Sequence, residues 1–474
     1  MDILYVTSEA APFSASGGLG DVMGALPQAV KAASPDDTVS VILPYYKKKV
    51  PENLASSFKF VCEFRFRYVW RDAYAGIYST ERGGVTYYFV DNEQYFLRDS
   101  LYGEFDDGER FAFFSMAVVE FLLKTGKMPN ILHANDWQSA LTIVYLRTKY
   151  YDVKEFRSLR TVYTIHNIEY QGKYDLAILG DIFGLDDHFR PVVEYDGCIN
   201  LMKGALVVAD RVTTVSPNYA CELRQAYYAY GLQHVINANG HKLSGIINGI
   251  DTTYFSPDKG GEIAFPYSLS DVWDGKAKNK AALQRELGLP VRRDVPLAVM
   301  ITRLARQKGV DLLTCILDEL LGSDIQFLIL GTGDADYEKT LAEIASRHPD
   351  KMRALFKFDR ALSKRLYASA DLFLMPSRSE PCGLAQMIAC SYGTIPVVRA
   401  VGGLYDTIVP YGQEGANGFV FNNYNAHELL FRVKDALSLY RNPDEWGKLI
   451  TGAMTTDFSW DRSAKKYLNL YRGL

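Results

Sequence analysis

No run of the chain stays apolar for the ~18 residues that a membrane span needs, which sets aside a transmembrane protein. Lys and Arg form no block, and the formal net charge is -4, so a nucleic-acid face is excluded and any phosphate recognition has to be local. Cysteine is sparse: Cys62, Cys198, Cys221, Cys315, Cys382 and Cys390 include no C-x-x-C pair. That spacing argues against a zinc site and a disulfide framework, and reduced, mostly buried thiols are expected. The opening MDILYVTSEAAPF has no basic region ahead of its apolar run. It reads as a buried first strand, and a cytoplasmic location is the expectation.

What is present is alternation. Short β-branched runs alternate with helical patterns through most of the 474 residues, the signature of parallel βαβ units, and the length suits two large domains. In the first half the strands are residues 3–8, 39–44, 130–134, 161–165 and 211–215, with helices such as 21–33 and 110–124 between them. Residues 58–90 alternate in period two and are expected to form an antiparallel insertion. The second half restarts the pattern at 296–303, 325–333, 354–358, 372–377 and 394–399. Between the halves, 248–271 is rich in Gly, Pro, Asp and Ser and is expected to be a hinge region. The division is therefore 1–247, 248–271, 272–455, and a last helix, 456–474.

Candidate chemistry gathers where strands end. In a doubly wound sheet the carboxyl ends of strands and the helix N-termini that follow them meet ligands. The first such turn is SASGGLGDV, where Gly17 and Gly18 would let the backbone approach a diphosphate. A second is ILHANDWQSAL: Asp136 can hydrogen-bond sugar hydroxyls or act as a helix N-cap, and Trp137 can offer an indole face to a pyranose ring. A third is TIHNIEYQG, where His166 and Asn167 leave a strand; the imidazole can bond a sugar hydroxyl or steady charge at a reacting carbon. In the second half, Arg303 closes a strand and Lys308 precedes a helix, two cations suited to a leaving nucleoside diphosphate. Glu380, followed by Cys382, Gly383 and Leu384, lies in a Pro-flanked loop, and Gly402 and Gly403 can present N–H groups to phosphate.

The succession SGGLGDVMGALP, NDWQSAL, TIHNIEYQG, INGID, RLARQKGVDLL, EPCGLAQMIACSYGTIPVVRAVGGL and ANGFVF resembles bacterial glycogen synthases and plant starch synthases over essentially the whole chain. The resemblance implies the glycosyltransferase-B architecture: two Rossmann-like doubly wound α/β domains facing across a deep cleft, with the C-terminal helix crossing back to the first. It implies a retaining transfer of glucose from a nucleotide sugar, ADP-glucose or UDP-glucose, to the non-reducing end of an α-1,4-glucan such as glycogen. No metal or cofactor is implied. Carried over by motif, Arg303 and Lys308 would bind the diphosphate, with Gly17, Gly18, Cys382, Gly383, Leu384, Gly402 and Gly403 around the donor. His166 and Glu380 would contact the transferring glucose, Asp136 would lie beside it, and Trp137, Asn167 and Asn248 would bind sugar or acceptor.

Three residues depart from the family's pattern. Ala15 stands where a lysine is usual, Val401 where a threonine is usual, and Ser379 where an aromatic residue is common. They bear on donor affinity and nucleotide preference; Ala15 and Val401 motivate the alternative of a catalytically weakened glucan-binding protein of the same fold, and a transferase of the same architecture acting on a different acceptor is the enzymatic alternative. The oligomeric state is not legible.

Overall fold

The computed structural model describes residues 1–259 and 261–474. These fold into two compact units, Met1–Gly249 with Trp460–Leu474, and Ile250–Ser459.

The first unit is built on a nine-stranded sheet. Its strands are β1 (Asp2–Val6), β2 (Thr38–Pro44), β3 (Lys59–Tyr68), β4 (Arg71–Arg82), β5 (Val85–Asp91), β6 (Ile131–Asn135), β7 (Arg160–Ile165), β11 (Arg211–Thr214) and β12 (Leu243–Gly245). The short β8 (Lys173–Tyr174), β9 (Glu194–Tyr195) and β10 (Cys198–Asn200) make a separate antiparallel sheet. The large sheet runs β12-β11-β7-β6-β1-β2-β5-β4-β3. From β12 to β5 every pairing is parallel, while β4 is antiparallel to both β5 and β3. The order reverses between β1 and β6, and that is where a doubly wound sheet opens a crevice at its strand ends.

The period-two stretch 58–90 is thus no separate layer. Its last strand, β5, belongs to the parallel sheet, and β4 and β3 extend that sheet by hairpin pairing, with β3 at the outer edge. One core explains how the first unit closes. Ile3 and Tyr5 of β1 and Val22, Met23 and Leu26 of helix Gly18–Ala33 pack with Trp460, Ala464, Tyr467, Leu468 and Tyr471 of helix Trp460–Arg472. At its far end Tyr471 donates a hydrogen bond to Tyr5 at 2.9 Å.

The second unit holds six strands: β13 (Leu297–Ile301), β14 (Gln326–Leu330), β15 (Met352–Leu355), β16 (Leu372–Met375), β17 (Ile395–Arg399) and β18 (Phe419–Phe421). All pair in parallel in the order β15-β14-β13-β16-β17-β18, the dinucleotide-fold order with its reversal between β13 and β16.

The expected hinge needs correction. From Ile250 onward its described residues belong to the second unit, and Gly260 lies outside the described residues. Tyr267 is buried there and donates to the carbonyl of Tyr392 at 2.8 Å, because a large aromatic side chain gains more from packing than a polar linker composition suggests. The last helix joins the first unit from Trp460 instead of 456. All six cysteines are free, but only Cys382 and Cys390 are buried, so the expectation of mostly buried thiols fails. Among the described residues no helix is long and apolar enough to cross a membrane.

Candidate active site

In the first unit the segments after β1, β6 and β7 meet at the point where strand order reverses. Asp136 follows β6 with φ at 57°, a left-handed conformation that a non-glycine residue holds only at a cost. It occupies the N-cap position of helix Trp137–Arg147 but makes no side-chain cap. Instead its Oδ1 accepts the backbone N–H of His166 at 2.7 Å and of Asn167 at 3.3 Å, so the carboxylate ties the β6 end to the β7 end. Burial pushes its pKa up to about 7, against the pull of those two N–H donors and with a further push from Glu9.

His166 is fixed by Asn135, the last residue of β6. The Asn135 amide nitrogen donates to the carbonyls of Val6 and His133, so its oxygen must accept from His166 Nε2, 2.9 Å away. That assigns the Nε2–H tautomer and leaves Nδ1 as an acceptor. Burial holds the imidazole pKa down at about 3, so the ring is neutral at neutral pH. A neutral ring whose Nδ1 accepts suits the expected bond to a sugar hydroxyl.

Trp137 does not offer its face to a ligand. It is 9% exposed, edge-on to Phe111 at 5.3 Å and near Tyr174, because its helix packs flat on helix Asp107–Thr125. Asn167 accepts from the N–H of Glu169 at 3.0 Å and so shapes the loop. Asn248 is buried, and its Oδ1 has no hydrogen-bond partner among the described residues. Gly17 and Gly18 are exposed at the start of a 16-residue helix, with open space around both.

Three residues here escaped the reading of motifs. Glu9, 3% exposed, accepts from both the backbone N–H and the hydroxyl of Ser16 and so pins the glycine loop to the end of β1. Burial raises its pKa, and Asp21 adds to the shift. Tyr102 reaches in from a distant loop to bond Ser8 at 2.7 Å. Asn135 orients His166. The available signals were a carboxylate inside the apolar stretch that opens the chain, and the Asn of the NDWQ segment; nothing local marks Tyr102.

The second unit's reversal point carries the other group. Lys308 Nζ lies 2.6 Å from Glu380 Oε2, and Ser377 Oγ donates to the same oxygen at 3.1 Å. The loops after β13 and β16 are held together to make this pair. Gly309 has φ at 77° and packs so tightly on the Pro376 carbonyl that a Cβ would overlap it, and the Arg378 N–H donates to Gln307 O at 2.8 Å. Arg303 is exposed beside them, with one long bond to Gln307 at 3.4 Å.

Gly402 and Gly403 have a different task from the one expected. The Gly403 N–H already donates to the carbonyls of Glu380 and Pro381, and a Cβ on either glycine would overlap the backbone at Glu380 or Cys382. They let helix Gly402–Thr407 press against the Glu380 loop, and Val401 is fully buried behind it. Cys382 is buried within that loop, Gly383 takes φ at 74°, and Leu384 leads into helix Ala385–Ser391. Among the described residues no group of three or more His, Cys, Asp or Glu side chains could hold a metal ion.

Residues 2–238 match the family described as starch synthase catalytic domain, and residues 288–450 match glycosyl transferases group 1. The chain is 44% identical to a glycogen synthase of Streptococcus mutans, with all of both sequences covered. Identity is also 44% to a glycogen synthase of Geobacillus thermodenitrificans, covering 100% of this chain and 98% of that one. Among solved structures, the catalytic domain of starch synthase IV from Arabidopsis thaliana, bound to ADP and acarbose, is similar with a TM-score of 0.91 at 33% identity, covering 99% of this chain and 98% of that one. A sucrose-phosphate synthase from Thermosynechococcus elongatus, 17% identical with a TM-score of 0.61 over 100% of this chain and 98% of its own, shares the fold. With two sheets of this order, their reversal points lined by these residues, and this breadth of similarity, the chain belongs to the glycogen and starch synthase family of glycosyltransferases, of glycosyltransferase-B type.

Proposed function

We propose that the chain transfers glucose from ADP-glucose to the non-reducing 4-hydroxyl of an α-1,4-glucan such as glycogen, retaining the anomeric configuration. The observation that carries this reading is the Lys308–Glu380 pair at the second unit's reversal point, 2.6 Å apart. A cation there suits the leaving diphosphate, and the carboxylate beside it suits the hydroxyls of the sugar that the diphosphate carries. Arg303, exposed nearby, supplies a second cation, and the open helix start at Gly17 and Gly18 supplies backbone N–H groups.

In the reaction the bond from the anomeric carbon to the diphosphate oxygen breaks and a bond to the acceptor 4-oxygen forms on the same face. The acceptor proton passes to the departing phosphate. Lys308 and Arg303 offset the charge that gathers on that phosphate, while His166 Nδ1 and the orphan Oδ1 of Asn248 accept from sugar hydroxyls. The proposed transfer calls for no metal or cofactor, and a cytoplasmic site of action fits a nucleotide-sugar donor. ADP-glucose is favoured over UDP-glucose by the ADP-bound relative of 33% identity.

A coupled assay of nucleoside diphosphate release, with glycogen and each nucleotide glucose, tests the reading. Glu380→Ala and His166→Ala are expected to lower kcat roughly a hundred- to a thousand-fold, as for loss of a contact made chiefly in the transition state. Glucan binding without glucosyl transfer would favour the weakened binding protein that Ala15 and Val401 keep in view.

A further inference from the structure

The loop after helix Pro217–Glu222 exposes tyrosines that the site just described does not use. Tyr227 is 57% exposed and Tyr230 42%, and Tyr170, four residues past His166, is 50% exposed. The loop is built, not loose. Ala229 and Leu232 are fully buried and anchor it, and the buried Gln171 donates to the carbonyls of both Ile168 and Tyr230, at 3.0 and 3.1 Å. Asn200 holds the Gln171 oxygen at 2.7 Å, and Tyr195 donates to Gly231 O at 2.9 Å. Tyr230 itself sits at φ 47°, a conformation costly for a bulky side chain, which the scaffold imposes while leaving the ring substantially exposed.

Composition narrows the occupant. From Gln225 to Gly240 there is no Asp, Glu, Lys or Arg, while Tyr, Gln and Asn abound. A phosphate-bearing or strongly charged partner would find no counter-charge on this segment. A neutral polymer with apolar ring faces and a rim of hydroxyls matches it, because aromatic faces cover apolar C–H surface and phenol and amide groups pair with hydroxyls.

We infer that Tyr170, Tyr227 and Tyr230 form a platform for the acceptor α-1,4-glucan, engaging sugar units behind the non-reducing end that reacts. The inference rests on the proposed acceptor and extends it to chain length. Four residues of chain separate Tyr170 from His166, a span of at most about 14 Å, so the platform adjoins the reacting edge. Long acceptors engage the rings and short ones do not reach them.

Isothermal titration of maltoheptaose and maltotriose against wild type, Tyr170→Ala, Tyr227→Ala and Tyr230→Gly tests this, glycine being the residue that keeps φ 47° without strain. Each variant is expected to raise the Kd for maltoheptaose roughly three- to tenfold while maltotriose keeps its wild-type Kd. The KM for glycogen should rise in parallel. Unchanged maltoheptaose binding in all three variants overturns the platform, as does an equal loss for both sugars. Wild-type self-association that the substitutions abolish, with glucan binding intact, would assign the patch to a second copy of the chain and overturn it too. A wild type that binds maltoheptaose through these rings yet transfers no glucose would sink the proposed reaction and leave the platform standing.

Discussion

Asp136→Asn isolates the cost of keeping an ionisable carboxyl where Asp136 stands. Asparagine has the same shape, tolerates positive φ, and keeps an oxygen to accept the His166 and Asn167 N–H groups at 2.7 and 3.3 Å. The fold should accept it. What changes is the proton. Asp136 holds its proton to about pH 7 when folded but releases it near the ordinary value of 3.8 when unfolded. Between those values the folded state binds more protons, so the stabilising contribution is complete below 3.8 and is lost as pH rises through 7. A difference of about three units corresponds to about 4 kcal/mol, with about 2 to 3 kcal/mol of it falling between about pH 5 and 8. The asparagine variant carries no such loss. Thermal melts of both proteins at about pH 5 and pH 8 should show the variant gaining on wild type by about 2–4 °C per kcal/mol as pH rises, while its kcat falls. Taking the difference from wild type cancels His133 and His166, both held near 3 by burial and both titrating in the same range. A stability gap independent of pH would refute the assignment of a protonated, half-buried Asp136.

Other expectations follow from the same contacts. Lys308→Met leaves the buried Glu380 carboxylate with Ser377 as its remaining side-chain partner, so a double-mutant cycle with Glu380→Gln should return a coupling of about 1 to 3 kcal/mol; additive effects would deny the pair. Ala15→Lys should lower the donor KM by an amount equivalent to about 1 kcal/mol at low salt and by less at high salt, and no change at either would place the glycine loop away from the phosphates. Lys276 is buried among the carbonyls of Tyr367, Ala368 and Tyr392, and burial lowers its pKa from 10.5 to about 7. The unfolded chain binds the extra proton between those values, so this lysine makes stability rise with pH from about 7 to 10; Lys276→Met should flatten that slope in equilibrium unfolding.

Much of the two sheets could be read because central strands such as β6, β14, β16 and β17 are buried on both faces and so appear as continuous apolar runs, and because each motif sits where such a run stops. His166, Lys308 and Glu380 were legible for that reason. Contacts made across the fold were not. Trp137 follows a strand end like its neighbours, yet only the packing of its helix against Phe111 decides that the indole is covered. Gly402 and Gly403 look like a phosphate loop until the Glu380 carbonyl is found to occupy the Gly403 N–H. The short strands β12 and β18, three residues each, carry too little pattern to register. Glu9 was hidden by its setting, since a lone carboxylate in an apolar run acquires meaning only when Ser16 folds back onto it.

The helix Trp460–Arg472 has a consequence for biosynthesis. Its aromatic face completes a core whose other members include Ile3, Tyr5 and Val22, so β1 waits for a segment synthesised about 450 residues after it before its hydrophobic surface is covered. The intervening unit, Ile250–Ser459, contains all its own strands and can close while synthesis continues. Until residues 460–472 emerge, the face of β1 and of helix Gly18–Ala33 that they cover is a natural client for chaperones, and translation stalled just short of them would leave a finished second unit tethered to an uncapped first.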